Sequence, residues 1–220
     1  VTGVQTCALP ISDQLLMICH VLRYTDFFQK VHEILNSGQL GQVVHIAHSE
    51  NVSYFHMAHS YVRGNWRNTA HSAPMILAKC CHDLDLLYWF LEEKPNRLSS
   101  TGNLRHFVEA NAPKGAPKRC TDGCPVAETC PFYAPRIYIQ SLPIKAAVAR
   151  SDRPLIRTIG KIALHRPNLA RLLGKLIPPV STLTDYSGWP RNTITERPKS
   201  DEAVYAALKN GLYGRCVYHC

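Results

Sequence analysis

The sequence predicts an α+β fold, because short apolar runs typical of strands alternate with amphipathic stretches typical of helices. The runs 15–23 (LLMICHVLR) and 42–50 (QVVHIAHSE) have the length and composition of strands. The apolar residues of 27–35 recur at helical spacing instead, and so do those of 75–91. The chain has 220 residues, which is enough for one large domain or two small ones.

Capping residues predict the ends of two helices. Thr25 can cap a helix that begins at Asp26, and Gly38 can end it. Ser200 can cap a short helix, and Gly211 follows that helix. We therefore expect each helix to occupy the interval between its two signals.

A third helix is predicted over 75–91, with Pro74 at a position that the first helical turn tolerates. One apolar stripe along it should be buried, and its members are Cys80, Leu84, Leu87 and Leu91. Three polar side chains project away from that stripe, namely Lys79, His82 and Asp85. Since Trp89 and Phe90 also face away from the stripe, we expect these polar groups to lie in a cleft.

The rest of the chain gives weaker signals. We expect strands at 97–102 and 213–219, a loop rich in Pro, Gly and Cys at 109–130, two amphipathic helical stretches in 143–177 broken at Pro167, and a polar linker at 180–199.

The net charge of +9 is concentrated in one segment rather than spread over the surface. Residues 145–175 carry eight Lys and Arg against a single acid, Asp152. This segment lacks the interleaved aromatic residues of single-strand binders and any recognised DNA-binding motif. No apolar run reaches about 18 residues, the length of a membrane-spanning helix. We therefore expect neither a nucleic acid nor a membrane as partner.

The cysteines and the first residues bear on the source of the chain. Nine cysteines without a secretory signal favour a reducing cytoplasm over a disulfide framework. Residues 1–11 (VTGVQTCALPI) back-translate in frame to a string that resembles a sequencing adapter, so we expect a non-native segment there. The native protein is then expected to begin upstream and to continue beyond the last residues, which resemble an interrupted strand.

Four sequence pieces, in order, resemble one family. They are Leu22-Arg-Tyr24, Gly38-Gln-Leu-Gly-Gln-Val43, Gly64-Asn-Trp-Arg-Asn68 and Pro74-Met-Ile-Leu-Ala-Lys-Cys-Cys-His-Asp-Leu-Asp85. Together they are similar to the glucose–fructose oxidoreductase and inositol dehydrogenase (Gfo/Idh/MocA) family. The resemblance covers most of residues 14–135 and resumes at about 186–220.

The resemblance implies a partial C-terminal domain with an open, mainly antiparallel sheet, helices packed on one face and one remnant Rossmann strand before it. Residues 12–24 would be that remnant, and 25–220 an incomplete substrate and oligomerisation domain with a Cys-rich loop (109–130) and a basic helical segment (143–177). NAD or NADP would be bound mainly by a Rossmann domain outside this chain, which has no G-x-G-x-x-G fingerprint. The family further implies a sugar or polyol substrate and a homo-oligomer.

The resemblance also implies catalytic residues. His82 matches the histidine that contacts the reacting hydroxyl, and an imidazole pKa of about 6.5 suits proton transfer. Asp85 matches the carboxylate three residues later, whereas Ala78 stands where the family has an aspartate. Lys79 could supply the missing hydrogen bond or proton.

Two further residues match a family pair that often lies near the cofactor. These are Trp66 and Arg67, and Arg67 could contact phosphates. The Glu93-Lys94-Pro95 string follows the helix rather than the Rossmann segment and is a chance match.

Each site residue also has a purely structural interpretation. His82 could be a hydrogen-bonded interior histidine, and Lys79 could pair with Asp83 one turn further along. Asp85 could only orient a neighbour, and Trp66 could pack in the core.

A cysteine cluster offers a separate site. Cys120, Cys124 and Cys130 could bind zinc or an iron–sulfur cluster, with Cys216 or Cys220 as a fourth ligand, or they could be free thiols.

The leading functional expectation is an NAD(P)-dependent oxidoreductase, of which this chain alone is inactive. The alternatives are a metal-stabilised binding or assembly module and, within the family, an NAD-dependent glycoside hydrolase.

Overall fold

The structure is a computed structural model that describes residues 19–166, 169, 189–195 and 200–220. The described secondary structure is helical. Its α-helices are α1 (Asp26–Asn36), α2 (Tyr54–His56), α3 (Met75–Ala78), α4 (Cys81–Leu91), α5 (Ala134–Tyr138), α6 (Leu142–Val148), α7 (Pro154–His165), α8 (Trp189–Asn192) and α9 (Asp201–Asn210). A π-helix over Met57–Arg63 continues α2, and 3₁₀ turns occur at Val21–Tyr24, Glu109–Asn111 and Leu212–Gly214.

The predicted α+β fold, with its open antiparallel sheet and remnant Rossmann strand, is wrong for the described residues. Residues 42–50 and 97–102 have no regular structure, while Val21–Tyr24 and Leu212–Gly214 form 3₁₀ turns where strands were predicted. Within the described ranges the β pairing is one isolated antiparallel bridge, Arg119 with Arg215. A strand depends on hydrogen bonds to a neighbouring strand, and here the extended segments do not pair with one another.

The described residues divide into two compact units. Unit 1 comprises residues 19–50 and Met75–Ser100, and unit 2 comprises Asn51–Pro74 with the described residues from Thr101 onward. The adapter-like segment 1–11 and most of the predicted Rossmann remnant lie outside the described residues. In the described part of the chain, no helix is long and apolar enough to cross a membrane.

Helix α1 of unit 1 has the ends that the sequence predicts. The Thr25 hydroxyl accepts a hydrogen bond from the Phe28 amide at 3.5 Å, and the helix ends before Gly38, whose φ is +75°. One face of α1 packs on α4, where the His32 ring stacks on Trp89 at 4.2 Å between ring centroids. Aromatic stacking of this kind adds about 0.5–1.5 kcal/mol to the burial of the rings.

The predicted continuous helix over 75–91 is two helices, α3 and α4, interrupted at 79–80. Its predicted buried stripe is also wrong, because Leu84 is 39% exposed and Leu91 is 43% exposed. The buried residues of α4 are Asp83 and Leu86 instead. Leu84 and Leu91 line an open groove with residues 43–46, which no other described element of unit 1 covers.

The core of unit 2 is formed mainly by α5 and α9. Its fully buried members are Ala134, Ile137 and Tyr138 from α5 and Val204 and Leu208 from α9. The Ser200 hydroxyl accepts from the Ala203 amide at 3.2 Å, as predicted for the start of α9. A second cluster joins the π-helix to the loop and the last residues, through Ala58, Val62, Phe132 and Val217.

Helices α6 and α7 pack closely in the basic segment. A Cβ atom on Gly160 would lie 2.4 Å from the Ala149 backbone nitrogen, so the two helices meet at a position that only glycine allows. Two helices in this segment were predicted, but the observed break is at 149–153. The predicted break at Pro167 and most of the linker 180–199 lie outside the described residues.

A buried histidine joins three parts of unit 2. The rings of His59 and Tyr213 stack at 4.8 Å between centroids, and Thr193 Oγ1 lies 3.2 Å from His59 Nε2. Because the Thr193 hydroxyl donates to the Pro190 carbonyl, His59 Nε2 is the donor to Thr193 and Nδ1 accepts from Tyr138 at 3.2 Å. This tautomer is neutral. Burial, with Arg63 and His56 nearby, lowers the pKa of His59 to about 4.

The depressed pKa of His59 predicts that unit 2 loses stability in mild acid. Above pH 6.5 His59 is neutral in both states, whereas between pH 6.5 and 4 the unfolded chain binds a proton that the folded chain does not. The free energy of unfolding should therefore fall by up to roughly 3 kcal/mol across that range.

An NMR titration of the His59 ring checks this directly. A His59 midpoint near 6.5, the ordinary value for imidazole, would contradict the prediction.

Candidate functional site

The predicted catalytic histidine lies beside a second histidine in unit 1. His82 is in the first turn of α4, and its ring meets the His20 ring edge-on, with 5.7 Å between centroids and an interplanar angle of 87°. The Nδ1 atoms of both rings are buried and have no hydrogen-bond partner among the described residues. Buried polar atoms are nearly always paired, so both imidazoles retain unused hydrogen-bonding capacity.

Asp85, the second predicted catalytic residue, is held by an arginine. Arg23 donates from Nε to Oδ2 and from Nη2 to Oδ1, each at 2.7 Å. This hydrogen bond raises the pKa of Arg23, and His20 Nε2 lies 3.8 Å from the same carboxylate. The Asp85 side chain is 12% exposed. The geometry therefore favours the interpretation in which Asp85 orients its neighbours, because it connects the 3₁₀ turn at Val21–Tyr24 to α4.

Lys79, the third predicted catalytic residue, does not pair with Asp83, which was the structural alternative for it. Its Nζ lies 2.8 Å from Glu50 Oε1. Asp83, the alternative partner, instead accepts from His48 Nε2 at 2.6 Å. Both pairs attach the segment 42–50 to residues 79–83. Burial raises the pKa of the Cys80 thiol, and the nearby carboxylates of Asp83 and Glu50 raise it further.

The sequence reasoning missed four members of this site, namely His20, Arg23, His48 and Glu50. Arg23 and Asp85 are 62 residues apart in the chain, and His48 and Asp83 are 35 apart. No local spacing reports such contacts. The available signal for Arg23 is its position in the Leu22-Arg-Tyr24 piece, which resembles the family but does not by itself indicate the partner of Arg23.

The predicted cofactor residues lie in unit 2, on a turn with a fixed backbone. A Cβ atom on Gly64 would lie 2.5 Å from the His59 carbonyl oxygen, so this turn requires glycine. Arg67 Nη1 donates to the Gly64 carbonyl at 3.2 Å. Trp66 is 45% exposed and meets the Tyr61 ring at 6.1 Å, so it does not pack in the core. An exposed indole next to an exposed guanidinium suits contact with a ligand.

The predicted metal-binding cysteines come together in unit 2. Cys120, Cys124, Cys130 and Cys216 line one small cavity of about 10 Å³, together with Arg63. Burial raises the pKa of the Cys130 and Cys216 thiols. Among the described residues, no group of three or more His, Cys, Asp or Glu side chains is arranged to hold a metal ion as it stands. The thiols thus surround one space without converging on a point within it.

The Arg23–Asp85 pair should stabilise unit 1. We expect Asp85→Asn to lower the free energy of unfolding by about 1–3 kcal/mol, because it weakens a two-fold charge-assisted contact to a carboxylate that is 12% exposed. Urea denaturation followed by circular dichroism measures the change.

The exposed Lys30–Glu33 pair, at 2.6 Å, is the matched control. Glu33→Gln should cost less than about 0.5 kcal/mol. Equal losses in the two variants would show that Asp85 contributes no more than a surface charge.

Comparison with known proteins agrees with the family resemblance. Residues 28–121 match the family model described as the GFO/IDH/MocA C-terminal domain. YteT of Bacillus subtilis (strain 168), whose name assigns it to the oxidoreductases, is 26% identical over 115 residues. That alignment covers 51% of this chain and 27% of YteT. No solved structure matches the chain. The comparisons therefore support the similarity of residues 28–121 to the C-terminal domain of the GFO/IDH/MocA family.

Proposed function

We propose that this chain is part of an NAD(P)-dependent oxidoreductase that transfers a hydride to or from a carbon of a sugar or polyol. The family match supports the reaction class, because the matched residues 28–121 include Lys79, His82 and Asp85. The name of YteT points to the same class. The chain spans about a quarter of that relative, so the activity belongs to the whole protein.

One observation carries the proposal for the site. The His82 Nδ1 atom is buried and has no partner among the described residues, although the side chain lies in a polar cluster with His20. An imidazole nitrogen that the protein does not engage can accept or donate a proton once a rotation of the half-buried His82 side chain presents it to the substrate. In this proposal His82 takes the proton of the substrate hydroxyl as the hydride leaves the same carbon. NAD(P), when bound, supplies the hydride acceptor or donor.

The neighbouring contacts would position His82 and the substrate. The Arg23–Asp85 pair fixes the carboxylate that lies 3.8 Å from His20, and His20 in turn limits the tilt of the His82 ring. Holding a proton-transfer group in one orientation lowers the entropic cost of reaching the transition state. Lys79, anchored by Glu50, would donate a hydrogen bond to a second substrate hydroxyl in place of the carboxylate that Ala78 lacks.

The cofactor contact is proposed for unit 2. The exposed faces of Trp66 and Arg67 fit contact with a dinucleotide, since guanidinium groups pair with phosphates and aromatic rings pack on flat groups. The chain has no G-x-G-x-x-G fingerprint, so these residues would supplement a cofactor site formed elsewhere. We also propose a cytoplasmic, homo-oligomeric protein; the free thiols among the described cysteines support a reducing compartment.

Replacement of His82 should remove most of the activity of the whole enzyme. We expect His82→Ala to lower kcat by about 10²-fold or more, because it removes the general acid or base. Steady-state oxidation of a polyol panel, followed by NAD(P)H absorbance, measures the change. Exposed His45 supplies the control, and His45→Ala should leave kcat unchanged. Near-normal turnover of His82→Ala would refute the assigned role.

The 220-residue chain alone should not bind NADH tightly, because it lacks the glycine fingerprint that receives the pyrophosphate. Fluorescence titration of the chain with NADH should show no saturation in the micromolar range. Saturable micromolar binding would mean that these residues contain a complete dinucleotide site.

A further inference from the structure

The cysteine cavity of unit 2 is assembled from distant parts of the chain. Cys120 and Cys216 are brought together by the bridge between Arg119 and Arg215, in which the Cys120 amide donates to Gly214 and the Cys216 amide donates to Lys118, each at 2.9 Å. The fold therefore places a thiol from the end of the chain beside thiols from the loop.

Turns in the loop supply the other two thiols. The Ala127 amide donates to the Cys124 carbonyl at 3.2 Å, and the Cys130 amide donates to Val126 at 2.8 Å. Gly123, whose φ is +76°, allows the chain to reverse directly before Cys124. As a result, four of the eight described cysteines line one cavity. Cys220 is absent from the lining, and its thiol contacts the Cys216 carbonyl at 3.2 Å instead.

A buried cation faces these thiols. Arg63 is completely buried and donates to the carbonyls of Arg215 and Phe132, at 2.7 and 2.8 Å, and to Cys120 Sγ at 3.4 Å. Its Nη1 atom is buried and has no partner, and no carboxylate pairs with its guanidinium within the described residues. A buried charge without a counter-charge is strongly unfavourable. The cavity next to it is thus the natural place for a negative group.

We propose that Cys120, Cys124, Cys130 and Cys216 bind a thiolate-ligated metal centre, either a zinc ion or an iron–sulfur cluster, with Arg63 as its buried counter-charge. Four thiolates are the ligand set of structural zinc and of iron–sulfur clusters. Such a centre has a net negative charge, which balances the guanidinium. Binding releases the thiol protons to solvent and fastens the loop to the end of the chain.

The thiols must reorient to bind the centre. The cavity of about 10 Å³ holds roughly one water, and the thiols as they stand do not converge. Each cysteine can swing its sulfur by rotation about a single side-chain bond, and Cys124 and Cys130 lie in turns rather than in the packed helices. A single ion requires rotations of the cysteine side chains, whereas a cluster is larger than the cavity and also requires the loop to move outward.

Metal analysis of the full chain, prepared without oxygen, tests the proposal. We expect about one zinc per chain without visible absorption, or about four irons with sulfide and broad visible absorption. Cys124→Ser should reduce the metal to background, whereas Cys81→Ser, which removes a half-buried thiol of unit 1, should retain it. Unchanged metal content in Cys124→Ser would overturn the assignment of the ligands.

A second measurement covers the case in which Cys124→Ser does not fold. The unaltered chain is incubated with zinc chloride, or with equal amounts of ferrous and ferric iron together with sulfide, and its reactive thiols are counted before and after. Protection of about four thiols supports the centre, and its removal by a chelator should lower Tm. The proposal is overturned if neither treatment protects thiols, or if the cavity cysteines form disulfides without any metal.

Discussion

Unit 2 depends on the hydrogen bonds of one buried arginine. Arg63 reaches acceptors 57, 69 and 152 residues further along the chain, and together these bonds join the π-helix, the cysteine loop and the last residues. A guanidinium suits this position because its donors spread in a fixed plane and reach several carbonyls at once. Backbone carbonyls accept hydrogen bonds from this guanidinium, but no carboxylate among the described residues balances its charge. The same residue therefore holds unit 2 together and provides the positive charge for the centre proposed at its thiols.

Unit 1 is organised by polar pairs instead of a deep apolar core. Two carboxylates of α4 are each held by a basic partner from earlier in the chain, in the pairs Arg23–Asp85 and His48–Asp83. These pairs bring His20 against His82, and the Nδ1 atoms of both rings have no partner among the described residues. The first turns of α4 thus carry both the structural pairs and the proposed proton-transfer group. In this proposal Asp83 and Asp85 hold neighbouring side chains in place, and His82 transfers the proton.

Features set by local chemistry could be predicted from the sequence, and features set by distant contacts could not. Thr25 and Ser200 cap their helices as expected, because a cap is decided within a few residues. The grouping of Cys120, Cys124 and Cys130 was likewise visible, whereas the choice of Cys216 over Cys220 required the backbone bridge. The strands were wrong because an extended segment becomes a strand only beside a partner. The hydrogen-bond acceptors of Arg63 had no signal in the sequence, since nothing near Arg63 along the chain reports an acceptor 57 or more residues away.

The groove beside α4 has a practical consequence for any preparation of this chain. Val44 is 94% exposed, Leu84 and Leu91 line the same groove, and the segment 42–50 forms no ladder with the described residues. Exposed leucines beside a segment without regular structure form an apolar patch that another chain can contact. Self-association through this patch is therefore expected to increase as the concentration of the chain rises.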